Sequence, residues 1–118
     1  MEKVHDFRYR VASGEEITIR VTPTNLGDSL PSVEAERDGA KMDNQGTDSA
    51  PVYKFTVDKP VNETHLVIVE VSFQDDSNDS AVYKLAISGQ NDVGCPCGFE
   101  IAKGDQDLSP DINFRVSG

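Results

Sequence analysis

"HLVIVEVSF", residues 65 to 73, is the stretch on which the fold turns. Val67, Val69, Val71 and Phe73 fall on one side of a period-two pattern, and Leu66 and Ile68 on the other. Successive side chains of a strand point to opposite faces, so apolar residues on both sides predict a strand in the middle of a sheet. Its neighbours repeat the period. "VYKFTV" places Tyr53, Phe55 and Val57 on one face, and "AVYKLAIS" does the same with Tyr83, Leu85 and Ile87. Further out, "FRYRVASGEEITIRV", residues 7 to 21, alternates Phe7, Tyr9 and Val11 with Arg8 and Arg10. It breaks at Gly14 and resumes with Ile17, Ile19 and Val21, and two such runs around a glycine turn predict a β-hairpin. The chain closes on "INFRV", where Ile112, Phe114 and Val116 alternate, and weaker strands are expected over residues 32–37 and 98–103.

No stretch carries a helical stripe. Clusters of turn-forming residues separate the strands, among them Asp38-Gly39, Asn44 to Thr47 and Asp58-Lys59-Pro60. The expected fold is therefore all-β: an antiparallel β-sandwich of seven to eight strands, jelly-roll-like, with an immunoglobulin-like sandwich as the alternative. The absence of Trp and of a distant cysteine pair counts against a true immunoglobulin domain. The run from Gly39 to Pro51 is the longest without a pattern and is expected to be the most mobile.

At 118 residues the chain fits a single domain spanning residues 1–118. Its abrupt ends read as a domain cut from a longer protein, though a complete small cytosolic protein would read the same. No apolar run is long enough to span a bilayer as a helix, and none behind Met1 resembles the core of a signal peptide. The net charge of −10 disfavours nucleic acid and an anionic membrane surface as partners. The eleven basic residues look scattered along the chain, with no basic stripe.

Few residues suggest chemistry. Asp75-Asp76-Ser77-Asn78-Asp79 packs three carboxylates and two neutral oxygen donors into five residues, a composition suited to calcium. It lacks the spaced ligands and the distal Glu of an EF-hand loop, and the same residue types favour turns, so a polar turn is the expectation. Asp75, Asp76 and Asp79 as calcium ligands are the alternative. Asp43, Asp48, Asp105, Asp107 and Asp111 are further acidic loop residues that could complete such a site. "GCPCG" sets Cys95 and Cys97 one residue apart, which suits neither a zinc site nor a redox motif. The pair reads as two thiols in a loop or as a tight Cys95–Cys97 disulfide. No nucleophile elbow or phosphate loop is present, and neither His5 nor His65 sits in a catalytic context, so the chain is not expected to be an enzyme. No cofactor other than calcium is suggested.

Phe7, Tyr9, Gly14, Ile17, Ile19 and Val21, together with the run from Asp79 to Leu85, resemble the bacterial pre-peptidase C-terminal domains and related jelly-roll accessory modules. "GCPCGFEIAKG" has no counterpart in that pattern. The resemblance implies a non-catalytic accessory or interaction module of a secreted or cell-surface bacterial protein, assisting stability, secretion or attachment, sometimes with bound calcium. A carbohydrate- or calcium-binding sandwich is the alternative. Sugar sites in sandwiches present exposed aromatic rings, whereas Tyr9, Tyr53 and Tyr83 all fall on expected core faces. That leaves a protein partner, or other domains of a parent chain, ahead of carbohydrate.

Overall fold

A computed structural model describes residues 6–28, 32–89, 97–103 and 111–117. The eight expected strands form, and a two-residue strand is added at Ala40–Lys41: β1 (Asp6–Ala12), β2 (Glu16–Thr24), β3 (Ser32–Arg37), β4 (Ala40–Lys41), β5 (Val52–Thr56), β6 (Thr64–Ser72), β7 (Val82–Gly89), β8 (Cys97–Ala102) and β9 (Asp111–Ser117). They build a β-sandwich of two sheets, one in the order β1-β9-β6-β3-β4 and the other β5-β2-β7-β8. β6 occupies the centre of the larger sheet, where its apolar residues on both faces place it. Val67 and Val69 are fully buried between the sheets, while Leu66 and Ile68 are half-buried on the outer face.

Two expectations about pairing are corrected. β1 and β2 do not form a hairpin, because they lie in different sheets. The turn between them is a corner, held by the far sheet's β5 end: the Gly14 N–H donates to the Val57 carbonyl at 2.8 Å, and the Val57 N–H to the Glu15 carbonyl at 2.8 Å. Gly14 sits at φ 84°, a left-handed conformation that glycine adopts without a Cβ penalty. The Glu15 carboxylate folds back to accept the Ala12 N–H at 2.9 Å. Alternation reports which side chains face the core, and both a hairpin and a corner satisfy it. Secondly, the pairing is not wholly antiparallel. β1 runs parallel to β9, from Asp6 opposite Asp111 to Ala12 opposite Ser117, while the other strand pairings are antiparallel.

The stretch from Gly39 to Pro51 is better anchored than its lack of pattern predicts. Asp38 and Gly39 both have positive φ (51° and 87°), as a two-residue type I′ turn between β3 and β4 requires. Beyond β4 the Asn44 side chain organises the loop. Its Oδ1 accepts the N–H groups of Gly46 (2.8 Å) and Val52 (3.0 Å), and its Nδ2 donates to the Thr47 carbonyl.

The core lies between the sheets and contains nearly all the residues that alternation places there. Two tyrosines tie the sheets together through their polar ends. The Tyr83 hydroxyl, on β7, donates to the Ser72 carbonyl at 3.0 Å and accepts the Ser32 N–H at 3.2 Å, both in the opposite sheet. The Tyr53 hydroxyl, on β5, donates to the Val33 carbonyl at 3.3 Å. Burial pushes both phenols above their ordinary pKa, so they remain hydrogen-bond donors at neutral pH. Val69 has no solvent exposure at the centre of this core. A lone carboxylate there is unpaired and desolvated, so Val69→Asp is expected to abolish the cooperative thermal transition followed by circular dichroism. A melting curve like that of the wild type would place β6 at the periphery.

Candidate functional site

The acidic turn after β6 is closed by a cation of the chain's own. Ser77 is buried, and both its N–H and its hydroxyl donate to the Gln74 carbonyl, at 3.0 and 2.7 Å. The Lys103 ammonium then donates to the Ser77 carbonyl at 2.6 Å and to the Asp75 carbonyl at 3.4 Å. Backbone carbonyls of this kind are what a calcium loop offers its ion, and here an ammonium uses them. Asp75, Asp76 and Asp79 are exposed. Among the described residues no three His, Cys, Asp or Glu side chains gather as a metal site would need. Asp43 and Asp48 are exposed on the loop before β5, and Asp111 opens β9. Asp105 and Asp107 lie outside the described residues, as does the Cys95–Cys97 pairing, of which only the backbone of Cys97 at the start of β8 is described.

His65 was the less conspicuous residue in the sequence. It shares its parity with Val67 and Val69, so alternation itself turns it inward, and its side chain is 1% exposed. Nδ1 lies 2.6 Å from Asp38 Oδ2, and Nε2 lies 3.3 Å from the Asp58 N–H and 3.2 Å from Asp58 Oδ1. The Asp38 carboxylate accepts from Nδ1, while Nε2 faces both the N–H and the carboxylate of Asp58. The Phe55 ring packs edge-on against the imidazole at 5.2 Å. A histidine enclosed in this way joins the Asp38 turn to the Asp58 turn and has no open side for a substrate.

Asp38 is the hub of that cluster. Its Oδ1 accepts the Leu66 N–H at 2.9 Å and lies 3.4 Å from the Lys59 ammonium. Burial alone would raise its carboxyl, but the Leu66 N–H, the His65 ring and Lys59 outweigh it and hold the pKa below the ordinary value. A carboxyl lowered by folding contributes stability that is complete above its unfolded pKa, near 3.8, and is lost as pH falls through the folded value. Asp38→Ala is expected to cost about 1–3 kcal/mol at neutral pH, because it strands a buried imidazole N–H. In denaturant titrations the gap between wild type and variant should close as pH drops below 4.

The outer face of the larger sheet carries the feature that the sequence hid. Alternation on β1 turns Arg8 and Arg10 outward, and the parallel register sets Arg10 directly opposite Arg115 and Arg8 opposite Asn113. On the other side of β9, Thr64 of β6 lies opposite Arg115. Arg8, Tyr9, Arg10, Thr64, Asn113 and Arg115 line an open groove of about 540 Å³. Three of the chain's five arginines thus meet on a protein of net charge −10. The reading of the basic residues as scattered is corrected by this pairing, which joins the first strand to the last. Neither Arg10 nor Arg115 has an ion-pair partner among the described residues. Like charges placed directly across a sheet destabilise it. Tyr9, which alternation turns to the core face, is half-buried and stacks on Phe114 with ring centroids 5.7 Å apart. The same outer face becomes acidic at its far end, where Glu34 and Glu70 stand opposite each other.

Compared with known proteins, the chain matches no family model, no curated protein and no solved structure.

With Lys103 at the loop carbonyls, calcium and magnesium are expected to move the melting temperature weakly and alike, through screening alone. A specific calcium site would add about 2.7 kcal/mol at a hundredfold excess over its dissociation constant. A large calcium-selective shift that disappears in Asp76→Ala would make the loop a metal site.

Proposed function

We propose that this chain is a non-catalytic interaction module, of the accessory type carried by secreted or cell-surface bacterial proteins, and that it engages a carboxylate-bearing partner through the Arg8–Arg10–Arg115 groove. The observation that carries this reading is the Arg10–Arg115 cross-strand pair. Two guanidinium groups held side by side repel each other, and a carboxylate seated between them relieves that repulsion with charge-assisted, bidentate hydrogen bonds. Arginine is the charged residue most suited to such surfaces, and a local positive patch on an acidic body orients an anionic partner as it approaches.

The resemblance of the Phe7–Val21 and Asp79–Leu85 stretches to pre-peptidase C-terminal domains favours the accessory role. The enclosure of His65 favours a role without catalysis. A sugar-stacking site is less well supported, since Tyr53 and Tyr83 are buried and no aromatic ring is exposed among the described side chains. Short anionic probes test the reading directly. Hexaglutamate and trigalacturonate are expected to bind, less tightly as salt rises, and neutral dextran is not. Arg10→Glu with Arg115→Glu should weaken binding of both anions by about tenfold or more, equivalent to 1.4 kcal/mol. Unchanged affinity in that double variant would remove the groove from the function.

A further inference from the structure

The partner that fits this groove is defined by the strand that bears it. β1 is an edge strand: β9 pairs along one side, and among the described residues no strand pairs along the other. Every second residue of an edge strand turns its N–H and C=O outward, which makes the edge a template for a further strand. β1 is seven residues long, enough to hold a short peptide in register. We propose that β1 captures an extended segment of a partner protein by strand addition, and that the segment carries acidic residues at alternate positions with apolar residues between them.

The pattern follows from the two faces of β1. A strand added beside it shares its rows, with opposed Cβ atoms about 5 Å apart and alternate residues about 6.6 Å apart along the strand. Its outward side chains stand beside Arg8 and Arg10, and the row of Arg10 continues into Arg115. Carboxylates two residues apart therefore meet two arginine rows in succession. The inward side chains of the added strand face the row of Tyr9 and Val11. Val11 is buried there and Tyr9 is half-buried, so its remaining exposed surface is what an apolar residue would cover. The main chain supplies affinity and the alternate side chains supply specificity, as in other strand-addition complexes.

The same arginines weigh against the competing occupant. A second copy whose β1 sets Arg10 opposite Arg8 brings like charges together, and like charges directly opposed are destabilising. Charged residues on an edge are a common guard against self-pairing. Here the guard is positive at Arg8 and Arg10, with Asp6 only where the strand begins, so an acidic segment is admitted beside the two arginines.

This inference rests on the arginine groove as the partner site, and it adds a requirement for main-chain pairing. The test uses the intact protein and three fluorescent heptapeptides: alternating Glu and Val (EVEVEVE), the same with a central proline (EVEPEVE), and alternating Lys and Val (KVKVKVK). EVEVEVE is expected to bind and to slow hydrogen–deuterium exchange of the β1 amides. EVEPEVE should bind at least about tenfold more weakly, because proline lacks the N–H that strand pairing uses. KVKVKVK should not bind. Arg10→Glu with Arg115→Glu should reverse the preference toward KVKVKVK, and Arg10→Gln with Arg115→Gln should lose EVEVEVE without gaining the lysine peptide. If EVEPEVE binds within about twofold of EVEVEVE, or if β1 exchange is unchanged at saturation, strand addition is wrong while the arginine groove stands. If neither the acidic heptapeptide nor hexaglutamate binds, both readings fall. Sedimentation of the protein alone should show a monomer; self-association abolished by Arg10→Gln with Arg115→Gln would give the edge to a second copy and overturn the proposal.

Discussion

The parallel pairing of β1 with β9 is the constraint on which the rest of the molecule depends. It sets the first strand beside the last, with Asp6 opposite Asp111. Closing a loop of that length in an unfolded chain costs about 4 kcal/mol of entropy beyond a constant term. The closure is offset locally: Val11, Phe114 and Val116 are all buried where the two strands cover the core. Each such side chain contributes about 1.5–3 kcal/mol on burial. β1 lies in the larger sheet and β2 in the other, and the corner at Gly14 joins them. Most later connections also cross from sheet to sheet, leaving β3–β4 and β7–β8 as the pairs joined directly within one sheet. The groove is a consequence of the same pairing, since without β9 beside it β1 would carry two arginines and not three.

Polar groups inside the sandwich are few, and each is used to join elements that hydrophobic packing alone would leave free to slide. Tyr83 and Tyr53 reach across the core to main-chain carbonyls of the opposite sheet, which fixes the offset of one sheet on the other. His65 links the turn at the end of β3 to the turn that precedes β6. A buried imidazole with partners at both nitrogens avoids the desolvation cost of an unmade hydrogen bond and specifies one arrangement of those turns. This is a structural use of a residue type more often associated with proton transfer, and its enclosure gives the reason. On the outer face, the guanidinium groups of Arg10 and Arg115 stand on neighbouring strands and are charged at any physiological pH.

The acidic turn after β6 is held by groups that composition does not display, the main-chain carbonyls of Asp75 and Ser77. Lys103 lies more than twenty residues further along the chain and reaches them only because β8 pairs with β7, which places Ala102 opposite Val82 at the start of β7.

The sequence by itself determined which segments are strands and which side chains face the core. It did so for "HLVIVEVSF" down to the central place of β6, and its alternation already pointed His65 inward. That information is local: a pleated strand turns alternate residues to opposite faces whatever lies beside it, and the apolar side chains mark the face that packs on the core. The tertiary structure decided who the neighbours are. Main-chain hydrogen-bonding groups are the same at almost every residue, so strand sequences carry little record of their partners, and the run from Phe7 to Val21 fits a hairpin and a corner equally well. Arg10 and Arg115, far apart in the sequence, become neighbours only when the parallel register brings them level, and that register is set by the packing of the whole core.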